Sequence, residues 1–128
     1  MAIEHIHLSK QAKDQLIKLK RITGIKNWNV LCRWAFCISL AESSIPPAAK
    51  IPADSSVEMT WKVFGGPYHD IYMVLLKERC SRDGIALDND SLLSQLRLHL
   101  HRGISYLASS RDLTNIAVFL KSGGYLAN

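Results

Sequence analysis

The sequence predicts a mainly α fold with short β, and three observations predict it. Residues Ile3 to Leu8 alternate with a two-residue rhythm, Glu4, Ile6 and Leu8 on one face of a strand and Ile3, His5 and His7 on the other. The run from Lys10 to about Thr23 carries Ala12, Leu16, Leu19 and Ile22 at helical spacing. A third stretch, VLCRWAFCISLA, is apolar nearly all the way round, with only Arg33 and Ser39 breaking it. The order strand, basic amphipathic helix, glycine turn, apolar helix reads as a ribbon-helix-helix-like N-terminal part. A strand and a small helical C-terminal part follow it.

Each element has a local cause. Ser9 offers an N-cap to the first helix, and Gly24 supplies the left-handed residue that ends it. Its four apolar side chains fill an arc of roughly 120°, and Lys10, Lys13, Lys18, Lys20 and Arg21 spread over the other side. Asn27 or Asn29 caps the second helix, which runs to about Glu42 before Pro46 and Pro47. A helix without a polar face in so small a domain needs cover on more than one side, and a partner subunit is the economical source. Glu42 to Ala53, rich in Pro, Ser and Ala, reads as a loop. Val57, Met59, Trp61 and Val63 then alternate with polar residues, predicting a half-buried strand closed by Gly65, Gly66 and Pro67. A helix from Tyr68 or His69 to Arg82 follows, then a longer one capped by Asp88 or Asp90 through Leu92, Leu96, Leu100, Ile104 and Leu107. A last short helix is expected from Asp112 to Lys121. The chain is thus read as one domain over residues 1–128: a basic strand-helix-helix over 1–43, a strand and helices over 54–109, and a tail helix over 110–128.

Charge is distributed unevenly. Up to Leu40 there are seven Lys or Arg against Glu4 and Asp14, a balance of +5; the remaining residues hold nine basic and nine acidic side chains. Charge concentrated in one segment is a directional field whose natural target is a polyanion such as duplex DNA or RNA. With 128 residues, 48% of them apolar, the chain is long enough for one real core. It has no signal-peptide pattern and no run long enough to span a bilayer, so a cytoplasmic location and no membrane partner are expected. Cys32, Cys37 and Cys80 are an odd number without CxxC spacing, against a disulfide framework or a cysteine metal site.

Two strands paired from two chains would cover each other's edges and let the second helices share a core, making a dimer; such a ribbon can enter the major groove while helix N-termini and nearby cations hold phosphates. The contrasting arrangement pairs the first strand with Val57 to Val63 inside one subunit. His5 and His7 share a strand face, open either to DNA or to packing, and His99 and His101 point away from each other on a helix and cannot chelate one metal. Ile17 stands amid the basic arc, either as a lone exposed residue or as a contact between dimers. No Gly-rich phosphate loop, HExxH or nucleophile elbow is present, and Cys32 and Cys37 lie in the most apolar helix, so no catalysis, metal or cofactor is expected of this chain. The residues expected to hold phosphate are Lys10, Lys13, Lys18, Lys20, Arg21 and Lys26, the last nearest the second helix's N-terminus.

The strings IEHIHLSKQAKDQLIKLKRITGIKNWNVLCRWAFCISLAE, KIPADSSVEMTWKVFGG and LRLHLHRGISYLA closely resemble the DndE family, small subunits of bacterial DNA sulfur-modification systems. The resemblance runs from about Ile3 to Ala108. It implies a role in phosphorothioation, in which sulfur replaces a non-bridging phosphate oxygen of DNA. It also implies partners: duplex DNA, a cysteine desulfurase, subunits with an iron-sulfur cluster and nucleotide hydrolysis, and further copies of the chain in a dimer or tetramer. The family's motifs pin none of the six cations individually. Two other uses compete: a ribbon-helix-helix repressor reading an operator, and a scaffold docking an acidic protein partner.

Overall fold

The computed structural model describes residues 5–109. A strand, β1 (His5–His7), leads into helix α1 (Lys10–Thr23). Ser9 starts α1 as expected: its backbone is extended and its Oγ accepts the Ala12 N–H at 3.1 Å. Gly24, at φ 75°, ends the helix by sending its N–H to the Lys20 carbonyl. Helix α2 (Trp28–Ala41) follows after Asn27, whose side chain makes no capping bond.

Strand β2 (Glu58–Thr60) pairs antiparallel with β1, setting His5 opposite Thr60, Ile6 opposite Met59 and His7 opposite Glu58. The ribbon expected between two chains is therefore formed within one. The cause is the anchoring of the returning loop: the Ser55 hydroxyl donates to the Leu8 carbonyl at 2.7 Å and the Leu8 N–H donates to Val57 O at 3.1 Å, fixing the register. With Ile6 and Met59 both turned inward, burial supports the same pairing.

The strand expected to run to Val63 stops at Thr60. Helix α3 (Trp61–Gly65) begins there, with the Thr60 hydroxyl accepting the Val63 N–H at 3.1 Å. Helical spacing buries Trp61 and Phe64 together and leaves Val63 52% exposed, whereas an extended chain would put Phe64 on the opposite face from Trp61. The buried Phe64 ring meets Phe36 of α2 edge-on at 5.7 Å and Tyr72 at 5.6 Å. A 3-10 turn over Gly66–Tyr68 then leads into α4 (His69–Arg82), and α5 (Asn89–Ser109) completes the described fold. Asp88 caps α5, accepting the Ser91 N–H at 2.8 Å and the Ser91 hydroxyl at 2.9 Å, and these bonds hold its carboxyl below the ordinary value. The expected helix from Asp112 to Lys121 lies outside the described residues, as do Ile3 and Glu4.

The core lies between α2 and α5. Gly103 faces the Ala35 backbone so closely that a methyl there would overlap the Ala35 carbonyl. Three arginines secure the long loop after α2. Arg79, 1% exposed, donates to Asp83 at 2.8 Å and to the carbonyls of Leu40 and Ser44 at 2.9 and 2.7 Å. Arg102 donates to the Ser39 and Ser44 carbonyls, and Arg97 to those of His7 and Ile51. These bonds satisfy carbonyls at the end of α2 and in the loop. Leu31, Cys32, Ala35, Phe36 and Ser39 of α2 are buried, while Cys37 is exposed and Val30, Trp34 and Ile38 are only half-buried. This chain therefore leaves the outer side of α2 incompletely covered. Among the described residues no helix is long and apolar enough to cross a membrane. Cys32, Cys37 and Cys80 are all free thiols, and burial pushes the Cys32 thiol up to about 12.

Candidate nucleic-acid interface

Helix α1 turns Ala12, Leu16, Leu19 and Thr23 into the core. Lys10, Asp14, Ile17, Lys18 and Arg21 are exposed, with Lys13 and Lys20 half-buried on one flank. Ile17, 45% exposed, stands within the charged face as the sequence placed it.

The six predicted cations are not equivalent. Arg21 and Lys26 are exposed and make no hydrogen bond or ion pair among the described residues. Lys10 forms an exposed pair with Asp14 at 3.2 Å, and Lys13 reaches the Ser56 hydroxyl at 3.5 Å. Both bonds are weak in water and easily exchanged. Lys18 is engaged differently: its Nζ donates to the Ala108 carbonyl at 2.8 Å, at the C-terminal end of α5, where the helix dipole favours a cation. Lys20 sits over the Trp28 ring at 4.0 Å from its centre, a cation–π contact that ties α1 to the start of α2. Four of the six are thus available to a ligand, and two also hold the fold together. Sequence reasoning had no signal for the Lys18 bond, whose acceptor lies 90 residues away.

The start of α2 adds to the same region. Asn27 leaves the first-turn N–H groups without a side-chain cap, and no acidic residue occupies that turn. Lys26 lies immediately before it. An uncapped helix N-terminus beside a cation favours an anion.

Contacts with α5 set the orientation of this surface. Arg97 Nε donates to the His7 carbonyl at 3.1 Å, His101 Nε2 accepts the Ser9 N–H at 3.1 Å, and Ala108 accepts from Lys18. Positions 97, 101 and 108 fall on one stripe of a helix. Strand β1 and helix α1 are therefore both tied to one side of α5.

The histidines of α5 serve the scaffold. His101 Nδ1 donates to the Arg97 carbonyl at 2.7 Å while Nε2 accepts from Ser9, which describes a neutral ring, and burial lowers its pKa. His99 is fully buried, with Nδ1 2.8 Å from the Ser39 hydroxyl and Nε2 without a partner among the described residues. Burial, helped by Arg79 and Arg102, lowers its pKa to about 4. Among the described residues no group of His, Cys, Asp or Glu is placed to hold a metal ion.

Comparison with known proteins gives this geometry a relative. The family model described as "DNA sulphur modification protein DndE" matches residues 5–115. The chain belongs to the DndE family. Two solved DndE structures share its fold. One, DndE from Escherichia coli B7A, described as involved in DNA phosphorothioation modification, is 26% identical over 84% of this chain and 98% of its own, with a TM-score of 0.70. The other, a DndE G21/24K mutant described as involved in DNA phosphorothioation, is 21% identical over 84% of this chain and all of its own, with a TM-score of 0.64. No curated protein matches. The DndE match extends over both strands and every helix described above, so the basic surface and its scaffold fall within the family's span.

Proposed function

We propose that this chain is the DNA-binding, non-catalytic subunit of a DNA phosphorothioation machinery, acting in the cytoplasm and holding duplex DNA, nicked duplex included, through the outer face of α1 and the start of α2. The observation that carries this reading is the cationic set: Arg21 and Lys26 without a partner among the described residues, with Lys10 and Lys13 only weakly held, gathered in the segment that contains the whole net charge. Lys18 and Lys20 lie beside them and lend their charge to the field while bonded within the fold. Replacing a phosphate oxygen in an intact diester is difficult without backbone cleavage or activation, so a subunit that keeps both sides of a break together has a use. The half-covered outer side of α2 supports self-association, which would bring several copies of the basic segment onto one DNA.

Fluorescence anisotropy with the purified chain tests this on intact duplex, nicked duplex and single strand at several salt concentrations. Salt-sensitive binding to both duplexes, weaker on single strand, is the expected result. Equal binding of all three forms would remove the case for a nick-holding role, and absence of salt-sensitive duplex binding would overturn the proposal.

A further inference from the structure

We infer that the outer face of the two-stranded ribbon reads base edges in a DNA groove, with His5, His7 and Glu58 as the reading residues. This rests on the duplex-binding reading above and adds a source of sequence preference to it.

The argument begins with the strand period. Ile6 and Met59 point inward and are buried, so His5, His7 and Glu58 share the outer face with Thr60. The Thr60 hydroxyl accepts the Val63 N–H as the cap of α3, and beside it the face presents two imidazoles and a carboxylate. They form one cluster: Glu58 Oε1 lies 2.8 Å from His5 Nδ1, and Oε2 lies 3.5 Å from His7 Nε2. All three side chains remain well exposed, His5 at 60%, His7 at 42% and Glu58 at 40%.

A bare carboxylate beside a phosphate-binding helix would oppose that helix's task. Here each oxygen faces an imidazole nitrogen, so the carboxylate is bracketed by two rings rather than bare. The set still offers both donors and acceptors along a narrow ridge, as base edges require, and a glutamate accepts from a cytosine amino group. A two-stranded ribbon is also one of the few elements that fit the major groove. Position completes the argument. Strand β1 and α1 are both tied to one side of α5, and the loop that enters β2 is tied to α1. Lys13 reaches Ser56, two residues before Glu58, and the Lys10 N–H reaches Asp54 at 2.7 Å. Phosphates held by α1 would therefore place a groove beside the ribbon.

The test is selection from a pool of duplexes with a randomised central segment, followed by affinity measurement on selected and scrambled duplexes. The full chain should prefer its selected duplex by about tenfold or more, the span of one good base contact. In His7→Gln and Glu58→Gln, exposed positions whose folding circular dichroism would check, that preference should fall at least several-fold. Affinity for scrambled DNA and its salt dependence should stay as they were. Duplex binding without any sequence preference, or a preference untouched by both substitutions, would overturn the inference and leave the duplex-binding reading standing. Loss of all duplex binding by the unaltered chain would overturn both.

Discussion

The double substitution Arg21→Ala with Lys26→Ala, set against Lys18→Ala, separates cations that are free for phosphate from one that also holds the fold. Each phosphate neutralised on duplex DNA contributes about 0.9 to the slope of log K against log salt. If Lys10, Lys13, Arg21 and Lys26 each meet one phosphate, the slope is about −3.6, and raising salt from about 50 to 200 mM lowers affinity ~150-fold. The double variant should have a slope of about −1.8 and lose only ~12-fold over the same range. Its stability should change little, because neither side chain makes a bond among the described residues, and exposed substitutions of this kind stay within about 0.5 kcal/mol. Lys18→Ala should behave in the opposite way. It removes a part-buried charged bond to the Ala108 carbonyl, so about 1–2 kcal/mol of stability should go. Its salt slope should change by less than about half a unit. Anisotropy titrations and thermal melts of the three proteins decide the matter. A double variant with the parent's slope, or a Lys18 variant that flattens the slope at unchanged melting temperature, would refute this sorting of the cations.

Three further outcomes follow from the scaffold. Arg79→Met should destabilise the fold by about 3–5 kcal/mol, because it leaves Asp83 and the Leu40 and Ser44 carbonyls without their buried donor; urea unfolding checks it, and a loss below about 1 kcal/mol would contradict it. His99 titrates near 4 in the fold against 6.5 for a free imidazole, so the unfolded chain takes up the proton first. Stability should therefore be complete above about pH 6.5 and decline towards pH 4, by roughly 3 kcal/mol from this group. His99→Gln should flatten that stretch of a stability-against-pH curve, and an unchanged acid slope would show that another group governs it. Gly103→Ala should cost about 3 kcal/mol, since the methyl meets the backbone of Ala35, which no rotamer change can move aside; a melting temperature equal to the parent's would show that α2 and α5 cross less closely.

Most helices were legible because their ends carry their own chemistry. Ser9, Gly24 and Asp88 act locally, and the helices they bound begin and end within a residue or two of expectation. The stretch after Val57 was ambiguous because two periods fit it. Val57, Met59, Trp61 and Val63 alternate, yet Trp61 and Phe64 are also a helical pair, and the choice is made by Phe64 reaching Phe36 and Tyr72 from elsewhere in the chain. Whether β1 pairs within the chain or with a second copy is likewise not local; it turns on Ser55 reaching back to Leu8. For the proposed interface, the charge bias is the one signal the sequence carries, since net charge needs no contact map. The division of labour among its cations was hidden, because Ala108 and Trp28 become neighbours of Lys18 and Lys20 only after folding.

Lysine acetylation footprinting of the full chain, alone and saturated with duplex DNA, tests the central claim most directly. Lys10, Lys13 and Lys26 should be protected by the duplex, and the exposed Lys50, Lys62 and Lys77 should react at unchanged rates. Protection of Lys62 and Lys77 with Lys10, Lys13 and Lys26 still reactive would contradict the assignment of the α1 face to DNA.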